Sequence, residues 1–225
     1  NDGAGRLLAR AMEDRLKVPV VVENKAGANG TIAMNFLRQS KPDGYTLSLV
    51  STGALDVNTW LMNLPYDPVK DFEPVSLVAF LPNVLLVGAQ SGINSVTDLI
   101  ALLKKDPAKR TFASSGAGTS THLAGELLAD IIDVPLTHIP YKGTPPAMLD
   151  VATGQVTFMF DQMTAAVPLI QAGKLKVLAV TTAKRIPISP SSPTMMEAGV
   201  PNFEMFSWQA VYAPKGTPKP IVDTL

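Results

Sequence analysis

Arg110-Thr111-Phe112-Ala113-Ser114-Ser115-Gly116-Ala117-Gly118-Thr119-Ser120-Thr121-His122-Leu123 concentrates the chemistry of this chain. Five of the eight residues from Ser114 to Thr121 carry hydroxyls and two are glycines. The pattern reads as a short strand, a small-residue turn and a helix with Leu123, Leu127, Leu128 and Ile131 on one face. Such a turn sets unpaired backbone N–H groups at the positive end of a helix, where an anion can be held without a basic side chain. No Lys or Arg follows Arg110 in the segment, so it is built to bind and release rather than to move a phosphoryl group. The competing reading is local: Thr119 or Ser120 caps the helix and the glycines make a tight turn.

Other residues could meet the same ligand. Thr52 and Gly53 end a predicted strand, or form a plain turn. Asp161 follows the apolar run 156–160; it would accept a hydrogen bond from a ligand hydroxyl or amine, or cap a helix from Met163. Asp2 poses the same choice, between accepting from a ligand hydroxyl or amine and serving as N-cap of the first helix. A ligand ammonium would favour such carboxylates, whereas a dicarboxylate would be repelled. Tyr141 would close over the ligand with its hydroxyl or serve packing. His122 and His138 are expected to be structural, as are Phe206 and Trp208.

Catalytic alternatives fail on spacing. Gly116-Ala117-Gly118-Thr119-Ser120 lacks the Lys that a P-loop places before its Ser or Thr. Gly118-Thr119-Ser120-Thr121-His122 lacks the final Gly of a nucleophile elbow. Ser120 and His122, two apart at a helix start, do not face each other. With 2 histidines and no cysteine, neither a thiolate centre nor a His/Cys metal site can be assembled, and no cofactor is indicated.

The elements that must position these residues follow from periodicity. The chain has 225 residues, 46% apolar and 17% charged, with formal net charge +0, which supports real cores but no electrostatic footprint for nucleic acid or an acidic membrane. No apolar run is long enough to span a bilayer. Helical stripes alternate with short apolar strands (Val18 to Val22, Tyr45 to Val50, Leu136 to Ile139, Val156 to Phe160, Leu175 to Val180), predicting parallel sheets with helices on both faces. Ser95 with Asp98 three residues on predicts a capped helix start. Two extended crossings, near 74–88 and 205–212, predict two α/β lobes, 1–80 with 206–225 and 81–205, around a ligand cleft. Asn1-Asp2-Gly3 has no signal-peptide character, and both ends are expected to cut through structure, as in a piece of a longer protein.

Several longer segments resemble the Bug family, the substrate-binding proteins of tripartite tricarboxylate transporters. Leu64-Pro65-Tyr66-Asp67-Pro68-Val69-Lys70-Asp71-Phe72-Glu73-Pro74-Val75 is similar to that family's LPYDPVKDFxPV segment. Val20 to Ala28 resembles its VVVEN-x-x-GA stretch, and Pro42-Asp43-Gly44-Tyr45-Thr46-Leu47 its PDGYTL. Ala113 to Leu127 resembles ASSGxGTxxHLAGEL; Tyr141-Lys142-Gly143 and Gly173 to Thr181 extend the likeness along the chain. The resemblance implies a two-lobed periplasmic binding protein of type II-like fold, a monomer that presents small carboxylates to membrane transporter subunits. It implies carboxylates held by backbone amides, hydroxyls and water, which puts Ser115, Gly116, Gly118, Thr119 and Ser120 at one end of the ligand. The Pro-Gly-Gly loop that precedes the residue matched by Asp2 in the family is not in this chain. A sensory module feeding a signalling receptor is the rival with the same fold.

Overall fold

The computed structural model describes residues 2–25 and 27–225. They form two compact units, residues 1–80 with 208–225 and residues 81–207. The long strand β2 (Phe72–Gly88) carries the chain out of the first unit, and β7 (Phe206–Pro214) returns it.

The first unit contains α1 (Asp2–Leu16), a short 3-10 turn at Ala28–Gly30, α2 (Thr31–Gln39) and β1 (Ser48–Ser51). A single π-helical turn, Gly53–Val57, leads into α3 (Asn58–Leu61), and α8 (Lys219–Thr224) ends the chain. β1 pairs antiparallel with β7, Leu49 opposite Val211. Its core joins Met34 and Leu37 of α2 to Val50, Leu55, Tyr66 and Phe72. The run from Val18 to Val22 is not a strand. β-branched residues make a strand only against a partner; here the Val20 amide donates to the Glu13 carboxylate at 2.9 Å and Val21 is 88% exposed.

The second unit adds α4 (Val96–Lys105), β3 (Thr111–Ser114), α5 (Ser120–Ile132), β4 (Thr137–Pro140), α6 (Thr144–Ala152), β5 (Phe158–Gln162), α7 (Met163–Gln171) and β6 (Leu175–Val180). β3 runs parallel to β4 and to β5, as alternation predicts. β2, however, runs antiparallel to both β5 and β6, so the sheet is mixed rather than parallel. The reason lies in connectivity: β2 enters from the other unit and not from a preceding crossover helix.

Strand alternation sorts the core of this unit onto two faces. Leu85 and Val87 point with Phe112, Phe158 and Phe160 toward α4 and α5, where Leu99, Leu103 and Leu128 close the layer. Val84 and Leu86 point with Ala113 and Met159 toward Met148 and Val151 of α6 and Ala166 of α7. Val84 through Val87 are all fully buried. Each contributes on the order of 2 kcal/mol of hydrophobic stabilisation, which holds the strand ends bearing the candidate residues in place.

Candidate functional site

Because β3, β4 and β5 are parallel, their carboxyl ends emerge along one edge of the second unit. Arg110 anchors the approach to β3, its Nε donating to the Leu103 carbonyl at 2.8 Å. Phe112 is fully buried, and Ser114 ends the strand without exposure. The Tyr141 amide then donates to the Ser114 carbonyl at 3.1 Å, and the Gly143 amide to the Ser115 carbonyl at 3.2 Å. The loop after β4 is thereby laced to the turn after β3.

Inside the turn the hydroxyls serve the backbone. Thr119 is the N-cap of α5, its Oγ1 accepting from the His122 amide at 3.3 Å and donating to the Gly116 carbonyl at 2.7 Å. Thr121 Oγ1 accepts from the Ser115 amide at 3.0 Å and shares hydrogen bonds with the Ser115 and Thr119 hydroxyls, 3.0 and 2.8 Å away. The Gly116 amide donates to Ser114 Oγ at 3.1 Å, and the Gly118 amide to His122 Nδ1 at 3.2 Å. The capping reading and the anion reading are therefore not exclusive, but the donors shift. The amides of Ser115, Gly116 and Gly118 are engaged within the turn. Among the described residues, those of Ala117, Ser120 and Thr121 have no backbone or side-chain acceptor. Ala117 is exposed and Ser120 half-buried, so these amides lie at the solvent edge of a 13-residue helix; Thr121 is buried.

Asp161 reaches the same edge from β5, yet it neither caps α7 nor lies open. It is 3% exposed. It accepts from Thr144 Oγ1 at 2.8 Å and from the Gln162 amide at 2.7 Å, while α7 starts after Gln162 with no side-chain cap. Burial pushes its carboxyl up to about 6, against the opposing pull of those two hydrogen bonds. Tyr141 does not hold its hydroxyl free for a ligand. It donates to Asp150 Oδ2 at 2.5 Å, and desolvation together with that carboxylate raises the phenol to about 12.

The first-unit candidates form a separate group. After β1 the chain enters a π-helical turn, and not a plain one, through Thr52, whose Oγ1 accepts from the Trp208 amide at 3.1 Å. Gly53 lies against the Asn29 side chain, whose amide a Cβ there would displace from Asn58. Asn58, 1% exposed, donates to the Ala28 carbonyl at 3.3 Å and Thr31 Oγ1 at 3.0 Å and accepts from Asn29 Nδ2 at 3.3 Å. Asp2 lies in the first turn of α1, accepting from Arg6 Nε at 3.0 Å and Asn24 Nδ2 at 2.5 Å, and these bonds hold its carboxyl below the ordinary range. It also lines a first-unit cavity of about 350 Å³ with Val20, Val22, Leu49 and Ala54.

Two contacts have no signal in the sequence. The rings of His122 and His138 stack with centroids 3.8 Å apart, and Trp208 Nε1 donates to Asp56 Oδ2 at 3.2 Å. Spacing along a chain does not reveal a helix residue stacked on a residue of a neighbouring strand. Among the described residues no group of three or more His, Asp or Glu could hold a metal ion, and no helix is long and apolar enough to cross a membrane.

Comparison with known proteins supplies the frame. Residues 4–225 match the family TctC, described as tripartite tricarboxylate transporter family receptor. BugT of Bordetella pertussis is 41% identical over 98% of this chain and 69% of its own length. Rpa4515 of R. palustris with adipate superposes with a TM-score of 0.93 at 38% identity, over 99% of this chain and 75% of that one. MatC from Rhodopseudomonas palustris with bound malate gives 0.88 at 33% identity, over 99% and 76%. The chain spans about two thirds of the length of the curated relatives it matches. With its fold and almost all of its residues matched, this chain belongs to the TctC family of tripartite tricarboxylate transporter receptors, among them the Bug proteins.

Proposed function

We propose that the chain is an extracytoplasmic, periplasmic binding protein that captures a small organic carboxylate and hands it to the membrane subunits of a tripartite carrier, with no chemical change to the ligand. The observation that supports this best is the turn after β3, where the Ala117 and Ser120 amides stand at the start of α5 without internal acceptors. A carboxylate placed there gains hydrogen bonds of roughly 1.5–3 kcal/mol each, reinforced by the helix dipole. Ser115, Gly116, Gly118 and Thr119 shape the turn that presents these amides, and Ser120 contributes to the seat directly. Tyr141 and Asp161 shape the same edge of the second unit through their bonds to Asp150 and Thr144, while Thr52, Gly53 and Asp2 belong to the first unit. The relatives' ligands, adipate and malate, set the chemical class.

Gly116 is a poor place to test the seat, because its φ of 142° would strain any side chain. Ala117 is exposed and has no positive φ. Calorimetric titration of adipate and malate against Ala117→Asp and Ala117→Asn separates charge from size. The aspartate should weaken binding at least about tenfold and the asparagine by less than about threefold, a gap of at least roughly 0.7 kcal/mol. Equal affinities in the two variants would remove the carboxylate from this turn.

A further inference from the structure

The two histidines carry a role beyond packing. Gly118 donates its amide proton to His122 Nδ1 at 3.2 Å, so that nitrogen bears a lone pair and the ring proton sits on Nε2, 3.3 Å from Glu126 Oε1. The His138 ring lies 3.8 Å from the His122 ring and 5.0 Å from that of the buried Phe112. His138 Nε2 is 2.6 Å from Ser114 Oγ, the atom that also accepts from the Gly116 amide and donates to the Gly116 carbonyl, each at 3.1 Å. The stacked pair thus grips the turn at both of its glycines.

We propose that His122 and His138 are positioning residues for carboxylate capture: a neutral His122 holds the Gly118 amide and His138 holds Ser114, so that the Ala117 and Ser120 amides face outward. The purpose assigned to the device rests on the function proposed above; the device itself does not. Adding a proton to His122 Nδ1 would set one N–H against another and release Gly118. His138 is held down to about 4, by burial first and by His122 second, so its ring stands neutral against Ser114 near pH 7.

Nitrogen-15 NMR of the chain tests the geometry, and titration with adipate and malate tests its purpose. At neutral pH His122 should show a protonated Nε2 and a bare Nδ1. His122→Asn keeps an acceptor near the Nδ1 position and should preserve slow Gly118 amide exchange and hold affinity within about threefold of the wild type. His122→Gln moves the acceptor to the Nε2 position; Gly118 exchange should rise, and affinity fall, about tenfold, the equivalent of one lost hydrogen bond. An Nδ1-protonated ring in the wild type overturns the proposal, and so does identical Gly118 exchange in the two variants. If neither diacid binds the wild type, the capture reading fails while ring tautomer and amide exchange still decide the positioning role.

Discussion

At the end of β1 the chain turns through Thr52 and Gly53, and at the end of β3 it turns through Ser115 and Gly116. Both turns follow a short strand that feeds a helical turn, and both are rich in small residues. They are held by different chemistry. In the first unit a buried carboxamide, Asn58, spans the Ala28 carbonyl, Asn29 and Thr31, and Gly53 is pressed against Asn29. None of those groups titrates near neutrality, so the hold that Asn58 supplies does not vary with pH. In the second unit hydroxyls close the turn and two imidazoles brace it. The carboxamide holds through groups with no proton to gain, whereas the ring of His138, held down to about 4, loses its neutral form in acid.

The difference can be broken from either side. The largest effect is expected at Gly125, in α5, where a Cβ would run into the Phe112 ring. Phe112 is fully buried beneath His138, so it cannot yield into solvent. Gly125→Ala should cost roughly 2–3 kcal/mol in denaturant unfolding and should perturb both histidine signals. Unchanged His122 and His138 resonances would show that the aromatic stack does not transmit to the turn.

A somewhat smaller loss is expected at Asn58. Removing its amide strands the Ala28 carbonyl and Thr31 at a cost of about 2 kcal/mol. The effect of Asn58→Ala should be the same at pH 5.5 and 7.5. A loss that varies strongly with pH would contradict the contrast between the two turns.

The smallest effect concerns pH and is partly hidden. His138 falls from an ordinary 6.5 to about 4 on folding, so its contribution to stability is complete above pH 6.5 and is lost as pH falls toward 4. Asp161 works in the opposite direction. Its carboxyl is raised from 3.8 to about 6, so its contribution is present below 3.8 and is lost as pH rises through 6. The two opposing slopes overlap between 4 and 6. Asp161→Asn removes one of them, and between pH 6.5 and 4 the variant should lose more stability than the wild type. Parallel pH profiles for the two proteins would mean that Asp161 does not mask the histidine.

Local signals in the sequence translated directly into structure. Ser95 Oγ accepts from the Asp98 amide at 3.0 Å as the spacing requires of an N-cap, while Asp98 Oδ2 accepts from the Asn94 amide at 3.0 Å, one residue before the amide that a full capping box uses. Strand, turn and helix around Ser114–Thr121 were equally legible, because residue types at short range dictate them. Direction was not. Whether a hydroxyl points at a ligand or back at its own backbone depends on contacts such as Ser115 with Thr121, which composition cannot resolve. The antiparallel placement of β2 and the open run at Val18–Val22 depend on which strands meet, a property of the whole chain. Asp161 was legible as a strand-end carboxylate but not as a buried one, since its cover comes from Thr144 and its own strand.

The Ala117 and Ser120 donors belong to the main chain, and this bears on how the receptor can diversify. A side-chain clamp disappears with a single codon change; a peptide N–H is abolished only by proline. If these amides seat the carboxylate as proposed, drift at the two positions would reshape the wall beside a ligand, altering which acid is preferred, while the grip on the carboxylate group passed unchanged from one descendant to the next.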